Sequence, residues 1–173
     1  MLTLKWIMGD REALTDTKAV RKKVFVDEMG LSAEDEDDGV DASCIHLVAY
    51  EDSLPISTGR VMITNDDFIL SRIATVKERR NEGLATGIVE ALVEACVQMG
   101  GNRQILTASA ESKGFFEKIG FKQYGEDSPN NEKPYPVGTT ANHRQHEKSE
   151  NIHEYYMEHF GGMRKCGGCG KCA

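Results

Sequence analysis

The stretch ERRNEGLATG, residues Glu78 to Gly87, joins a strand-like segment to a helical pattern and governs the interpretation of the whole chain. A strand that runs into a glycine-containing turn at a helix N-terminus presents free backbone N–H groups and the positive end of the helix dipole. Gly83 lets the backbone approach an anion closely, and Arg80 adds a forked cation suited to phosphate. The same residues also fit the charged first turn of an ordinary surface helix, so the neighbouring sequence has to decide.

The composition is typical of one soluble globular domain. The 173 residues are 39% hydrophobic and 28% charged, and the formal net charge is -7. This acidic balance argues against nucleic acid as a partner, because phosphate binding needs a basic face. No segment resembles a signal peptide or has the apolar length of a membrane span. Five cysteines are an odd number, which favours the reducing cytoplasm. Because no segment is long and apolar enough to span a membrane, we also expect no membrane partner.

Periodicity predicts strands and helices on both sides of the opening stretch. Helices are predicted from Thr15 or Asp16 to about Met29, from Leu84 to Met99, and over SKGFFEKI (112–119). Strands are predicted for LTLKWI (2–7), CIHLVAYE (44–51), PISTGRVMIT (55–64), FILSRIAT (68–75), RQILTASA (103–110), FKQY (121–124) and HEYYMEHF (153–160).

The remaining segments are predicted to be irregular. The acidic segment SAEDEDDGVDAS (32–43) is predicted to be a solvated loop. Residues 125–151 are polar and contain prolines, which predicts a long loop inside the domain. We therefore expect one domain over residues 1–161 and a Gly/Cys-rich C-terminal tail over residues 162–173.

Two motifs in the expected order carry a family resemblance. Arg80, Gly83 and Ala85 fill the Gln/Arg-x-x-Gly-x-Gly/Ala motif of the GNAT superfamily of acyl-CoA-dependent N-acyltransferases. Downstream, FFEKIGF (115–121) resembles the FYEKxGF motif of the same family. The N-terminal half is similar to the ElaA-like branch, because RKKVFVDEMG and EDDGVDASCIH match its helix motif and its acidic motif followed by a histidine.

The resemblance implies an α/β fold whose mixed, splayed central sheet is flanked by helices and holds acyl-CoA between two central strands. It implies that the backbone of β-strand residues follows the pantetheine arm and that helix-start N–H groups hold the pyrophosphate. The implied cofactor-binding residues are Ile73, Ala74, Thr75, Arg80, Asn81, Glu82, Gly83, Leu84, Ala85, Thr86, Ser109, Ser112 and Phe116.

The resemblance also implies a direct attack of a free amine on the thioester carbonyl, which requires a proton acceptor and favours a proton donor for the departing thiolate. Glu28 and His153 are the candidate bases. Many relatives have a tyrosine acid where this chain has Phe116, which cannot donate a proton. In that case Tyr156, another tyrosine or water donates the proton to the departing thiolate, or the thiolate leaves unprotonated.

Several polar residues near the first helix keep more than one interpretation. Glu36, Asp38 and Asp41 either line an acceptor pocket for a cationic amine or cap the neighbouring helix. Glu28 either accepts a proton or is a solvated carboxylate at a helix end. His46 lies inside an apolar strand, which predicts a hydrogen-bonded structural histidine.

Histidines and cysteines near the C-terminus have spacings that occur in metal sites. His143 and His146 lie in the predicted loop over residues 125–151, and their spacing alone does not establish a metal site. Cys166, Cys169 and Cys172 form overlapping Cys-x-x-Cys units, which fit either a soft metal ion or a disordered, oxidisable tail. We predict no metal site from either group.

The sequence therefore predicts an N-acetyltransferase that uses acetyl-CoA, or a related short acyl-CoA, to modify a primary amine of a small molecule or peptide. Two alternatives stay open: an acyl-CoA-binding sensor without turnover, suggested by Phe116, and a metal or redox protein that works through its cysteine tail. The acceptor is not identified by any motif. A homodimer is compatible with the resemblance.

Overall fold

The computed structural model describes residues 1–9, 14–64, 67–101, 103–123 and 154–160, which form one mixed sheet with helices packed against it. The strands lie in the order β1-β2-β3-β4-β5-β7-β6. This arrangement confirms the predicted α/β class with a mixed central sheet. The strands are β1 (Leu2–Met8), β2 (Ile45–Glu51), β3 (Leu54–Ile63), β4 (Phe68–Thr75), β5 (Arg103–Ser109), β6 (Lys122–Gln123) and β7 (Glu154–Phe160).

The first four strands form an antiparallel meander with β1 at the edge of the sheet. Asp52 and Ser53 connect β2 to β3, and both have positive φ angles, 46° and 78°. The register pairs Glu51 with Leu54, as expected for a two-residue hairpin turn whose twist matches that of the strands. The two strands predicted on either side of this turn therefore form a hairpin.

The α-helices of the described residues are α1 (Leu14–Arg21), α2 (Ala33–Glu36), α3 (Leu84–Gln98) and α4 (Ala110–Lys118). A π-helix over Lys22–Glu28 continues α1 directly, so the first predicted helix is present with a wider second half. Gly30, with φ at 77°, follows its end. The second predicted helix is α3, which begins after Gly83 and is followed by Gly100.

The main core lies between α3 and the middle strands of the sheet. Gly59 of β3 allows the close approach, because a Cβ at this position would lie 2.7 Å from side-chain atoms of both Ile88 and Leu92. The buried α3 residues are Ile88, Val89, Leu92 and Cys96, and the strand residues in the same core include Leu47, Val61, Leu70 and Leu106.

The two parallel strands at the centre, β4 and β5, pair over a short distance only. Among the described residues their register contains Phe68 opposite Gln104 and Ile69 opposite Ile105, both at the starts of the strands. The described residues toward Thr75 and Ser109 have no pairing between these two strands, while β5 pairs along its whole length with β7. The sheet is therefore splayed at the carboxyl ends of β4 and β5, as predicted.

The acidic segment over residues 32–43 differs from its prediction as a solvated loop. It contains α2, whose first N–H groups are capped by Ser32, with Asp35 N donating to Ser32 Oγ at 3.0 Å. Glu36 and Asp41 are buried, with 6% and 4% exposure. The prediction is wrong because the arginines that neutralise these carboxylates lie far away in the sequence.

Two predicted segments fall outside the described residues: the long loop over 125–151 and the tail over 162–173. Within the residues that the structure describes, no helix combines the length and the apolar character needed to cross a membrane.

Candidate functional site

The opening between β4 and β5 is the first part of the candidate site. Ile73, Ala74 and Thr75, predicted to follow the pantetheine arm, form the last part of β4, where β5 has diverged. β3 holds this segment from the other side, because Ser57 Oγ donates to Ala74 O at 3.0 Å and lies 2.8 Å from Thr75 Oγ1. Crevices at the carboxyl ends of strands are the usual ligand sites of open α/β sheets.

A β-bulge in β4 shapes the wall of this opening. Thr58 pairs with Ala74 whereas Arg60 pairs with Ser71, so β4 contains one residue more than β3 over this stretch. Arg72 lies in the bulge with φ at 54°, and its guanidinium donates to Glu36 O at 3.0 Å. Bulges redirect strands next to functional sites. Sequence patterns do not indicate this bulge, because Arg72 belongs to an otherwise regular strand pattern.

The N-terminus of α3 lies directly after β4 and forms the second part of the site. Gly83 is the residue before the helix, with φ at 81°, and Asn81 also has a positive φ of 65°. The first intrahelical bond runs from Gly87 N to Gly83 O at 3.0 Å. No side chain of the described residues caps this helix, so the N–H groups of its first turn are available to an anion.

Two residues predicted for different tasks form an ion pair beside this turn. Arg80 Nη1 and Nη2 donate to the two carboxylate oxygens of Glu28 at 2.7 and 2.6 Å. Arg80 Nε donates to Thr75 O at 3.1 Å. The hydrogen bond from Arg80 lowers the pKa of Glu28, and the same bond raises the pKa of Arg80. In this state Glu28 is a weaker proton acceptor than an ordinary glutamate.

An open depression of about 270 Å³ is lined in part by Glu28. The end of the π-helix forms one wall, and the residues that follow β4 form the other. Its lining residues are Lys23, Val24, Asp27, Glu28, Val76, Lys77 and Glu78. Glu28 therefore borders the depression and also contacts Arg80, where the turn predicted to hold the cofactor begins.

The predicted distal residues lie at the end of β5 and on α4. Ser109 precedes α4 and caps it, because Ser112 N donates to Ser109 Oγ at 3.3 Å. The two hydroxyl oxygens are 3.0 Å apart. Phe116 is 6% exposed, and its ring makes edge contacts with Phe115 and Phe121 at centroid distances of 5.0 and 5.9 Å. These residues share the β5 side of the opening.

The candidate proton-transfer residues of the C-terminal half are described only in part. Tyr156 belongs to β7, where its backbone pairs with Thr107 of β5. His153 lies outside the described residues, as do the histidine pair and the three tail cysteines. Within the part of the chain that is described, no group of three or more His, Cys, Asp or Glu side chains could hold a metal ion.

Glu36, Asp38 and Asp41 belong to a buried ion cluster with arginines of α1 and β3. Arg21 Nε donates to Glu36 at 2.5 Å, and Arg21 Nη1 donates to Asp41 at 2.7 Å. Arg60 donates to Asp41 at 2.8 Å and to Asp38 at 2.8 and 2.6 Å. The geometry favours a structural role for these carboxylates over an acceptor pocket, and that role is ion pairing with arginines rather than the predicted helix capping.

The arginines of the cluster hold the pKa values of Asp38 and Asp41 below their ordinary value. Burial alone would raise the pKa of Asp38, but the hydrogen bond and charge of Arg60, helped by Arg72, lower it to about 2. His46 is fully buried beside the cluster, with Nε2 2.9 Å from Asp41 O, and burial lowers its pKa. The prediction of a hydrogen-bonded structural histidine at this position is confirmed.

Comparison with known proteins agrees with this geometry. A family model described as an acetyltransferase (GNAT) domain matches residues 14–133. The uncharacterized N-acetyltransferase YjcF of Bacillus subtilis is 32% identical over 120 residues, which are 69% of this chain and 86% of YjcF.

Solved structures share the fold at lower sequence identity. An acyl-CoA N-acyltransferase from Pseudomonas aeruginosa has a TM-score of 0.71 at 17% identity, covering 91% of this chain and 99% of that one. Escherichia coli ElaA has a TM-score of 0.68 at 17% identity, covering 91% of this chain and 99% of ElaA.

Proposed function

The chain belongs to the GNAT acetyltransferase family, and we propose that it transfers an acetyl or other short acyl group from acetyl-CoA to a primary amine of a small molecule or peptide. The observation that carries the proposal is the splayed end of β4 and β5 with the uncapped N-terminus of α3 immediately beside it. A thioester arm and a diphosphate are the two chemical parts that such a pair of sites would hold.

The donor side of the proposal uses mostly backbone groups. The strand edge of Ile73 to Thr75, which lies beyond the short pairing with β5, offers peptide groups to the amides of the pantetheine arm. The first-turn N–H groups of α3 and the dipole of this 15-residue helix favour the diphosphate. Gly83 leaves open space for it, since a Cβ there would have no described atom within 4 Å.

The proposed chemistry is one direct acyl transfer. The nitrogen lone pair of the neutral amine attacks the thioester carbonyl carbon, and the C–S bond breaks when the tetrahedral intermediate collapses. A backbone N–H at the edge of β4 stabilises the oxyanion. The amine proton passes to Glu28 or His153, and Tyr156 or water protonates the thiolate. The products are an amide and CoA.

Phe116 favours one alternative, an acyl-CoA-binding sensor, because it replaces the usual tyrosine acid with a buried ring. An amine panel separates the two functions. Amino sugars, polyamines, amino acids and peptides are each mixed with enzyme and acetyl-CoA, and release of free thiol is followed. We expect amine-dependent thiol release with at least one class. CoA binding without release on any amine would establish the sensor instead.

Cytoplasmic localisation and a homodimer stay predictions beside this proposal. Sedimentation of the full chain over a range of concentrations measures the second of these directly.

A further inference from the structure

Arg80 connects three elements that meet at the proposed donor site. Its Nε bonds to Thr75 O at the end of β4, and its two Nη atoms bond to Glu28 at the end of the π-helix. Its own backbone leads into the turn before α3. Arg80 therefore stands between the turn that would hold a diphosphate and the depression bordered by Glu28.

The Arg80–Glu28 pair is accessible to a competing anion. The two side chains retain 38% and 34% exposure, and ion pairs of such exposure contribute little net stability. A diphosphate carries more charge than one carboxylate, and arginine binds phosphate oxygens through the same forked geometry. An anion seated on the N–H groups of α3 would thus compete with Glu28 for the guanidinium.

If Arg80 no longer paired with Glu28, the Glu28 carboxylate would be free to bind another cation. The hydrogen bond from Arg80 is the largest cause that lowers the pKa of this carboxyl. The depression that Glu28 borders contains two other acidic side chains, Asp27 and Glu78, and two lysines, Lys23 and Lys77. A carboxylate without its guanidinium partner at this place would attract a cationic ammonium group into the depression.

We propose that Arg80 exchanges partners during the reaction cycle: the diphosphate of the bound acyl-CoA draws its guanidinium from Glu28, and the released carboxylate binds the ammonium group of the acceptor in the adjacent depression. The exchange rests on the proposed function and assigns the acceptor site within it. Because binding couplings are reciprocal, acyl-CoA strengthens amine binding by the same factor by which the amine strengthens acyl-CoA binding.

Glu28→Gln tests the exchange through donor binding alone. Calorimetric titration with CoA, without any amine, should give a dissociation constant about threefold lower in Glu28→Gln than in the wild type, because no carboxylate competes for Arg80. Asp27→Asn removes one charge from the same depression without a bond to Arg80 and should leave that constant within about twofold. Pantetheine, which lacks the diphosphate, should bind both proteins alike.

The same variant should bind the acceptor poorly. With an amine found active in the panel, we expect KM for the amine to rise about tenfold or more in Glu28→Gln, since a charge-assisted contact is lost. In an Arg80→Gln background, Glu28→Gln should no longer improve CoA binding, because the competition is absent.

Weaker CoA binding by Glu28→Gln would overturn the exchange, since Glu28 would then be the support that positions Arg80 for the diphosphate. An unchanged KM for the amine would overturn the assignment of the acceptor site. Failure of the wild-type protein to bind CoA would instead contradict the proposed function, so the two failures are distinguishable.

Discussion

Gly83 and Gly100 lie just outside the two ends of α3 and provide a matched pair for the donor site. Both have positive φ angles, 81° and 86°, and a Cβ built at either position would have no described atom within 4 Å. A tryptophan at either position adds the same left-handed strain, about 1–2 kcal/mol. Only the one at residue 83 would stand where the diphosphate is proposed to bind.

We therefore expect Gly83→Trp to abolish the thermal stabilisation by CoA that Gly100→Trp retains. A ligand at a hundred times its dissociation constant stabilises by about 2.7 kcal/mol, which raises Tm by roughly 5–10 °C for a chain of this size. Differential scanning fluorimetry with and without CoA measures the shift. A full shift in Gly83→Trp would remove the diphosphate assignment.

A substitution at Phe116 tests whether a proton donor at this position would assist departure of the CoA thiolate. Phe116→Tyr restores a hydroxyl at the position of the family's tyrosine, and we expect kcat to rise about tenfold if thiolate departure limits the reaction. Phe121→Tyr is the control, because Phe121 is 2% exposed and its ring contacts Phe116. Each added hydroxyl costs about 1–3 kcal/mol of stability when buried. Equal kcat values in both variants would show that residue 116 does not reach the leaving group.

At the residue scale, the sequence indicates which residues are candidates for the site but not which residues those candidates contact. Motifs lead to the prediction of Arg80, Gly83 and Glu28 as site residues, but they do not identify the partners of these residues. Arg80 and Glu28 are 52 positions apart, and no periodic pattern encodes a contact of that separation. The pairing changes the chemistry of Glu28, because its hydrogen bonds to Arg80 lower its pKa.

At the scale of elements, the contact between β3 and α3 sets the position of the helix N-terminus. Gly59→Ala places a Cβ 2.7 Å from Ile88 Cγ2 and Leu92 Cδ1, so these side chains or the helix that carries them must shift. We expect a loss of about 1–3 kcal/mol, or a Tm lower by roughly 2–12 °C.

Gly87→Ala within α3 is the matched control for that substitution. Gly87 lies in the helix, and a Cβ there would have no described atom within 4 Å, so alanine should stabilise the protein by up to about 1 kcal/mol. Chemical unfolding of both variants gives the two free energies. A stability of Gly59→Ala equal to that of the wild type would mean that the helix–sheet contact adjusts without cost.

Elements with strong local patterns are predictable from the sequence, and those that depend on distant partners are not. The alternation in β1 and the apolar stripe of α3 identify both elements. The π-helical turns after Arg21 have no separate pattern, since the same apolar spacing fits an α-helix. The prediction for the acidic segment is wrong because Glu36 and Asp41 are neutralised by Arg21 and by residues of β3.

At the scale of the whole molecule, the buried ion cluster joins α1, the acidic segment, β3 and β4. Arg21→Met would leave Glu36 and Asp41 without one buried partner, and we expect a loss of about 3–5 kcal/mol. Lys22→Met is the control at the neighbouring position, because Lys22 is exposed and pairs with exposed Asp27. This substitution should lower the free energy of unfolding by less than about 1 kcal/mol. Urea unfolding at neutral pH compares the two, and similar values would show that the cluster does not stabilise the fold.

The cluster also predicts how stability depends on pH. The pKa of Asp38 is about 2 in the folded protein, well below its ordinary value of 3.8, and the pKa of Asp41 is lowered as well. A depressed folded pKa contributes stability that is present above about pH 4 and is lost as pH falls toward about 2, because the unfolded chain then binds more protons.

Asp38→Asn removes one of these titrating groups, and its effect should therefore depend on pH. We expect the free energy of unfolding to be lower than that of the wild type at about pH 7, with the difference shrinking steadily between about pH 4 and pH 2. Asp27→Asn, at an exposed pair with Lys22, should differ from the wild type by less than about 1 kcal/mol throughout. Urea titrations at several pH values measure both differences. A constant difference for Asp38→Asn across this range would mean that the contribution of Asp38 to stability does not depend on the ionisation of its carboxyl group.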